Sequence, residues 1–251
     1  MYSYIYDEFV QSPKFKKELD TIESRLTDLG MSGKVVRLAL FRDPSDIIAG
    51  EVSRGLSTVV AVGNDETARR VLDVVAEYPG TTFGYIPLGT PTHLARLLGI
   101  PDGVEACDVL SGRIVETIDM GVVNGKRFLA GIASAKFDAR ITVSGFRMRA
   151  TSPGSLQVRN LAVGFVPSPE LVADPRDGKL EAVLEVEERR GWNPFRKRRS
   201  GRSVLPFTHM EIDGDAPVTI VADGEEMTSD HFDISVEPKM LKVITGRGRM
   251  F

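Results

Sequence analysis

Helical periodicity runs through the first hundred residues of this chain and is absent after about residue 112. That change limits the fold more than any single motif does. Ser12-Pro13 suits a helix start, with serine as cap and proline in the first turn. Phe15, Leu19, Ile22, Leu26 and Leu29 recur at spacings of four and three, one apolar helix face that Gly30 ends. Residues 34–41 predict a strand and 43–54 a helix opened by Asp43-Pro44. Residues 57–62 predict a buried strand rich in β-branched residues. Residues 65–78 predict a helix with Val71, Val74 and Val75 on one side; 82–88 reads as a strand and 90–98 as a helix. Such alternation implies right-handed crossovers and a doubly wound sheet.

Beyond the change, predicted strands cover 114–122, 128–132, 156–166, 180–186, 205–212, 218–222, 232–236 and 241–245, separated by Gly, Pro, Asn and Asp. Short strands between such turn residues indicate an antiparallel sandwich or barrel. The expected fold is therefore a two-domain α+β chain. A doubly wound α/β domain would occupy residues 1–110 and an antiparallel β-sandwich residues 111–251.

Composition excludes several function classes. Hydrophobic residues are 42% and charged residues 27% of 251, which rules out a disordered or fibrous chain. A chain of this length buries roughly 70–75% of its unfolded surface, so its core needs no disulfide or metal. Cys107, the only cysteine, cannot form an intrachain disulfide, as expected in a reducing compartment. No run of 18 apolar residues predicts a membrane helix, and the N-terminus lacks a secretory signal. A net charge of −3 argues against specific or bulk nucleic-acid binding. A cytoplasmic protein is expected.

Four loops have residues suited to chemistry. Val62-Gly63-Asn64-Asp65-Glu66-Thr67 joins a buried strand to a helix, where backbone N–H groups and a helix N-terminus can face a phosphate. Asp65 there could hold magnesium; an ordinary capped turn is the alternative. Ile86-Pro87-Leu88-Gly89-Thr90 also runs from strand end to helix start, and two such loops meet where open α/β sheets bind ligands. The alternative is a helix capped by Thr90. Val221-Ala222-Asp223-Gly224-Glu225 is either a plain hairpin turn or a turn that presents Glu225 as a general base. Ala173 to Leu180 holds Asp174 and Asp177 around Pro and Gly, either a turn or a site for a hard cation.

Taken in order, these stretches resemble the diacylglycerol kinase catalytic family, in particular the bacterial lipid kinases, relatives of sphingosine kinases and NAD kinases. Gly63–Thr67 falls at the family's Gly-Gly-Asp-Gly-Thr loop and Pro87–Thr90 at its Pro-Leu-Gly-Thr. Asp119 falls at its Asp-containing strand, Asp177–Leu180 at its Asp-Gly-x-Leu loop and Asp223–Glu225 at its Asp-Gly-Glu turn. The stretch from Phe128 to Ala139 also looks like a family segment. The resemblance covers about residues 55–245. It implies an NAD kinase/diacylglycerol kinase-like fold, with ATP between the two domains on Gly63, Asn64, Asp65, Glu66, Thr67, Gly89 and Thr90. Mg2+ would involve Asp65, and a structural cation Asp174 and Asp177. Glu225 would take the proton from a lipid hydroxyl, with Asp119 close by. The partners implied are a nucleotide and a lipid substrate at a membrane surface, within phospholipid metabolism; a homodimer is compatible. A catalytically inactive binding protein and an NAD kinase are the alternatives.

The chain departs from the family at Asn64 and Glu66, which replace glycines, and at Pro91-Thr92-His93, which replaces an Asn-Asp pair. A left-handed backbone at Glu66 would cost roughly 1–2 kcal/mol. Its charge ~4 Å from a phosphate would cost on the order of 4 kcal/mol at an effective dielectric of 20. The family's first nucleotide loop is not visible; Tyr4 to Glu8 stands there, and the return of the chain to the first domain is expected to be short or absent.

Residues 189–202 place seven positive charges around Trp192 and Phe195, including Arg196, Lys197, Arg198 and Arg199. Such a segment suits docking on an anionic membrane surface; a solvated loop is the alternative, and nucleic acid is the other polyanion it could meet. Cys107 reads as a buried structural thiol. Surface roles are expected for His93, Arg69 and Arg70, and His209 and His231 have no metal-ligand spacing.

Overall fold

The structure is a computed structural model and describes residues 1–38, 44–149, 154–163, 169–187 and 200–251. The basic segment with Trp192, Phe195, Arg196, Lys197, Arg198 and Arg199 lies outside the described residues. The chain forms two compact units, Met1–Ile118 with Met240–Met250, and Asp119–Lys239 with Phe251. The expected single crossing near residue 110 is thus replaced by a crossing after Ile118 and a return at Met240.

The first unit contains β1 (Tyr2–Tyr6), α1 (Lys16–Asp28), β2 (Lys34–Arg37), α2 (Pro44–Val52), β3 (Thr58–Gly63), α3 (Asp65–Val75), β4 (Thr82–Pro87), α4 (His93–Leu97) and α5 (Ala106–Gly112). All six residues of β3 and of β4 are buried, as strands covered on both faces must be. The β-branched run Val59–Val62 fills that position without polar groups to satisfy. Helix α3 turns Ala68, Val71, Leu72, Val74 and Val75 inward. Helix α1 starts at Lys16, after a 3₁₀ turn over Pro13–Phe15, and Ser12 makes no side-chain cap bond. The strand β1 has no counterpart among the sequence expectations, because its aromatic run Tyr2-Ser3-Tyr4-Ile5-Tyr6 lacks flanking helical signals. It lies one strand in from the edge strand β2, paired in parallel with β2 and with β3.

The second unit takes up β5 (Ile114–Val123) from Asp119 onward and contains β6 (Lys126–Phe128), β7 (Gly131–Phe137), β8 (Arg140–Val143), β9 (Phe146–Arg149), β10 (Gly154–Arg159), β11 (Leu180–Glu187), β12 (Ser200–Phe207) and β13 (His209–Ala222). The last strand, β14 (Glu225–Thr245), begins here and ends in the first unit. Pairing is antiparallel along β12-β11-β10-β7-β13-β14. Its core includes Phe128, Phe137, Leu156, Val158, Met210, Ile212, Phe232 and Ile234. The predicted α+β class, an α/β part followed by antiparallel strands, is the observed one.

Strand boundaries differ from expectation for local reasons. Residues 205–212 and 218–222 were expected as two strands, but 209–222 is one strand whose register shifts between Asp213 and Val218. A bulge absorbs the Gly-Asp-Ala-Pro stretch that reads as a loop. The hairpin of β8 and β9 is unanticipated; Ser144 and Gly145 form its turn with φ of 51° and 79°. The return strand is real: Lys242 and Val243 of β14 pair in parallel with Thr82 and Phe83, and Gly246 and Met250 donate to Leu98 O and Leu97 O.

Candidate active site

In the first unit the strand order is β2-β1-β3-β4, followed by the end of β14. The chain steps from β1 to one side and then to the other, so the loops after β1 and β3 leave in opposite directions, the arrangement at whose carboxyl ends open α/β sheets bind ligands. Asp7 follows β1 and Thr67 lies in the first turn of α3. Thr67 Oγ1 donates to Asp7 Oδ2 at 2.7 Å across that divergence. Asn64 caps α3, its Oδ1 accepting the Thr67 N–H at 3.1 Å, and its Nδ2 reaches Thr90 O at 3.4 Å. Gly63 is required by close packing: a Cβ there would lie 2.4 Å from Thr67 Oγ1. Gly89 has a φ of +85°, and a Cβ would lie 2.7 Å from the Phe9 ring. The five residues Gly63–Thr67 and the pair Gly89-Thr90 are thus brought to one sheet edge. Asp7 is the member that sequence reasoning missed; its only signal was its place directly after an apolar run.

Three expectations for this edge are corrected. Asn64 is extended, with φ −95° and ψ −173°, and Glu66 is in α3, outside the positive-φ residues. The strain expected at Glu66 therefore does not arise, because Glu66 has helical backbone in the first turn of α3. Glu66 is exposed. Asp65 is buried and faces the next loop instead of solvent. Its oxygens accept the N–H groups of His93 at 2.7 Å and Leu94 at 3.0 Å, with the Tyr85 hydroxyl at 3.5 Å. Its own N–H donates to Pro91 O at 2.9 Å. Burial pushes its carboxyl up, and the two N–H donors partly offset this. Asp65 is a clip between the two loops and does not fit the role of magnesium ligand. The helix after this loop starts at His93, not Thr90, and Thr90 is exposed.

In the second unit, buried side chains join the remaining motifs. Asp223 and Gly224 form a two-residue turn with φ of 46° and 89°, and Ala222 pairs with Glu225, the geometry of a type I′ hairpin. Asp223 accepts the N–H groups of Leu129 at 2.6 Å, Ala130 at 3.0 Å and Gly131 at 3.0 Å. Asn160 is fully buried, and its Nδ2 donates to Leu129 O at 2.9 Å and Asp119 O at 2.8 Å. Asp119 is also fully buried; its oxygens accept the Gly178 N–H and the Lys239 N–H, each at 2.8 Å. The Asp119 strand, the Phe128–Ala139 segment, the Asp-Gly-Lys-Leu loop and the Asp-Gly-Glu turn thus form one hydrogen-bonded network. Asn160 is its hub and has no signal in the sequence: it falls inside the stretch 156–166 expected as one strand, whereas the observed strand ends at Arg159.

The network changes the roles expected of its acids. Asp119 has both oxygens engaged by backbone donors, which suits a positioning residue. Asp174 is held by Arg176, whose Nε lies at 2.8 Å, and this hydrogen bond holds its carboxyl below the usual range. Asp177 accepts the Lys179 N–H at 2.8 Å. Asp174 and Asp177 are both exposed and each bonds within its own turn. Glu225 is half-exposed and ion-paired with Lys126, a partner that sequence reasoning also missed. Cys107 is buried, as expected, and burial pushes its thiol up to about 11.

A sheet of this order joined to an antiparallel unit defines the fold shared by diacylglycerol kinases and NAD kinases. The chain resembles a diacylglycerol kinase from Bacillus anthracis with a TM-score of 0.79 at 16% identity, covering 98% of this chain and 97% of that one. It resembles an NAD kinase from Archaeoglobus fulgidus, solved in complex with ATP, with a TM-score of 0.60 at 18% identity, covering 100% and 96%. The family resemblance is sequence-based as well: residues 4–123 match the model of the diacylglycerol kinase catalytic domain. A probable YegS-like lipid kinase of Pseudomonas aeruginosa is 35% identical over 103 residues, 41% of this chain and 34% of that protein. A diacylglycerol kinase of Bacillus subtilis is 29% identical over 171 residues, 66% and 56% respectively. The match spans about a third of the first relative's length and just over half of the second's. Among the described residues, no helix is long and apolar enough to cross a membrane.

Proposed function

We propose that the protein is an ATP-dependent lipid kinase of the diacylglycerol kinase type, transferring the γ-phosphoryl group of ATP to a lipid hydroxyl. The observation that carries this reading is the anchoring of the Asp-Gly-Glu turn. Three backbone N–H groups fix Asp223, so the accessible carboxylate of Glu225 sits on a rigid support. Glu225 takes the proton of the attacking hydroxyl, and Lys126 balances its charge. Gly63, Asn64, Thr67, Gly89 and Thr90 contact the nucleotide at the carboxyl edge of the parallel sheet. Asp119 and Asn160 act through the loops they hold. Phosphoryl transfer depends mainly on positioning and charge neutralisation, so magnesium is supplied in the assay together with ATP. The basic segment 189–202 docks on anionic membrane. Co-sedimentation with anionic but not neutral vesicles supports that part, and equal recovery on both removes it.

Transfer of labelled phosphate from ATP to diacylglycerol, a sphingoid base and NAD tests the reading. Labelled lipid, with a loss of roughly 10²–10⁴-fold in Glu225→Gln, supports it; an unaffected rate removes Glu225 as base. A second reading, a non-catalytic binding protein, is favoured by one observation. The N–H groups of Asp65 and Thr67 are taken by Pro91 O and Asn64 Oδ1, which leaves the first turn of α3 fewer donors for phosphate. ATP binding without transfer supports that reading, and labelled NAD supports an NAD kinase.

A further inference from the structure

His209, Glu211 and Asp233 stand outside every motif described above. His209 and Glu211 are alternate residues of β13, and Glu211 is the register partner of Asp233 on β14. Alternation sends Met210 and Ile212, and Phe232 and Ile234, into the core, where each is 0–1% exposed. The three polar side chains therefore share the opposite, solvent-facing side of a firmly packed pair of strands. One donor atom from each lies within 4.8 Å of the others, and His209 Nε2 is 3.1 Å from Asp233 Oδ2. Asparagine 124 steadies Asp233 from the other side, its Oδ1 accepting the Asp233 N–H at 2.8 Å.

The charge arrangement points to a cation. Two carboxylates directly opposite one another on neighbouring strands repel. Three further acids of this unit have arginine partners, Asp138 and Asp215 with Arg149 and Glu237 with Arg127. Among the described residues, no Lys or Arg forms an ion pair with Glu211 or Asp233. His231, the nearest other imidazole on this face, is engaged by Asp213 at 2.9 Å.

We propose that His209, Glu211 and Asp233 form a mononuclear site for a first-row divalent transition cation, zinc being the best match to one imidazole and two carboxylates. Metal–ligand bonds of roughly 2.0–2.2 Å require donors about 3–4 Å apart, which small side-chain rotations supply. Three protein donors leave a coordination position for water. The bound ion neutralises the opposed carboxylates and staples β13 to β14. The site is independent of the kinase reading.

The full-length chain, stripped with a chelator, is titrated with zinc chloride by calorimetry in excess magnesium, and with cobalt chloride followed by visible absorption. One zinc equivalent and a cobalt d–d band are expected in the wild type. Affinity should fall by roughly 10–100-fold or more in His209→Ala and in Asp233→Asn, while His231→Gln binds as the wild type does. Circular dichroism and melting verify that each variant is folded. No uptake by the wild type, or undiminished uptake in both ligand variants, overturns the proposal.

Discussion

Asp119 Oδ2 accepts the N–H of Gly178 at 2.8 Å, and Asp119 Oδ1 accepts the N–H of Lys239 at the same distance. One buried carboxylate thereby fastens two segments, 59 and 120 residues along the chain, to the strand that carries it. Asp119→Asn keeps the shape but turns an amide donor toward a backbone donor. It should destabilise the protein by about 1–3 kcal/mol, the cost of an unmatched buried polar group. Urea unfolding measures this; an unchanged midpoint would mean that the carboxylate does not hold these loops.

Gly63 and Thr67 are packed without slack. A Cβ on residue 63 would lie 2.4 Å from Thr67 Oγ1 and 2.8 Å from Thr67 Cβ. Gly63→Ala should cost roughly 1–3 kcal/mol through overpacking. Gly63→Ala combined with Thr67→Ala should recover part of that cost, because the colliding hydroxyl is gone. A double-mutant cycle on unfolding free energies detects the coupling, and strict additivity would contradict it.

Glu66 is exposed in the first turn of α3, where its charge opposes an arriving phosphate. If ATP binds at that edge, Glu66→Gln should tighten it by roughly 2–10-fold, equivalent to about 0.4–1.4 kcal/mol. Calorimetric titration with a non-hydrolysable ATP analogue, at low and high salt, reads this out. The gain should shrink at high salt; equal affinity in both proteins at low salt places the phosphates elsewhere.

Cys107 has its thiol raised to about 11, first by burial and then by the Asp108 charge. The ionised form is thus disfavoured in the folded chain. At pH 8 about 0.1% of the native thiol is ionised, against roughly a tenth in the unfolded chain. By linkage, the thiol's contribution to stability is complete below pH 9, its unfolded value, and is lost as pH rises through 11. Maleimide labelling at pH 8 should be slow in the native protein and rapid in denaturant. Rapid native labelling would show that the site opens.

The residues at the carboxyl edge of the parallel sheet are easier to read from the sequence than their contacts. Gly63–Thr67 and Pro87–Thr90 were placed correctly at strand ends, because strand-to-helix switches are written in local apolar periodicity. The roles of Asp65 and Asp119 were not, since each depends on which backbone donors the fold brings to it. Asn160 and Lys126 escaped notice for the same reason: neither belongs to a local pattern.

Local order therefore decided what one stretch of chain can decide by itself. The α/β half, the antiparallel half and the turn at Asp223-Gly224 all follow from side-chain period and backbone preference over a few residues. Tertiary structure decided the rest. Asp65 became a clip, Asp119 an anchor and Asn160 a hub because buried polar groups must find partners, and those partners come from distant segments that only folding brings within hydrogen-bond reach.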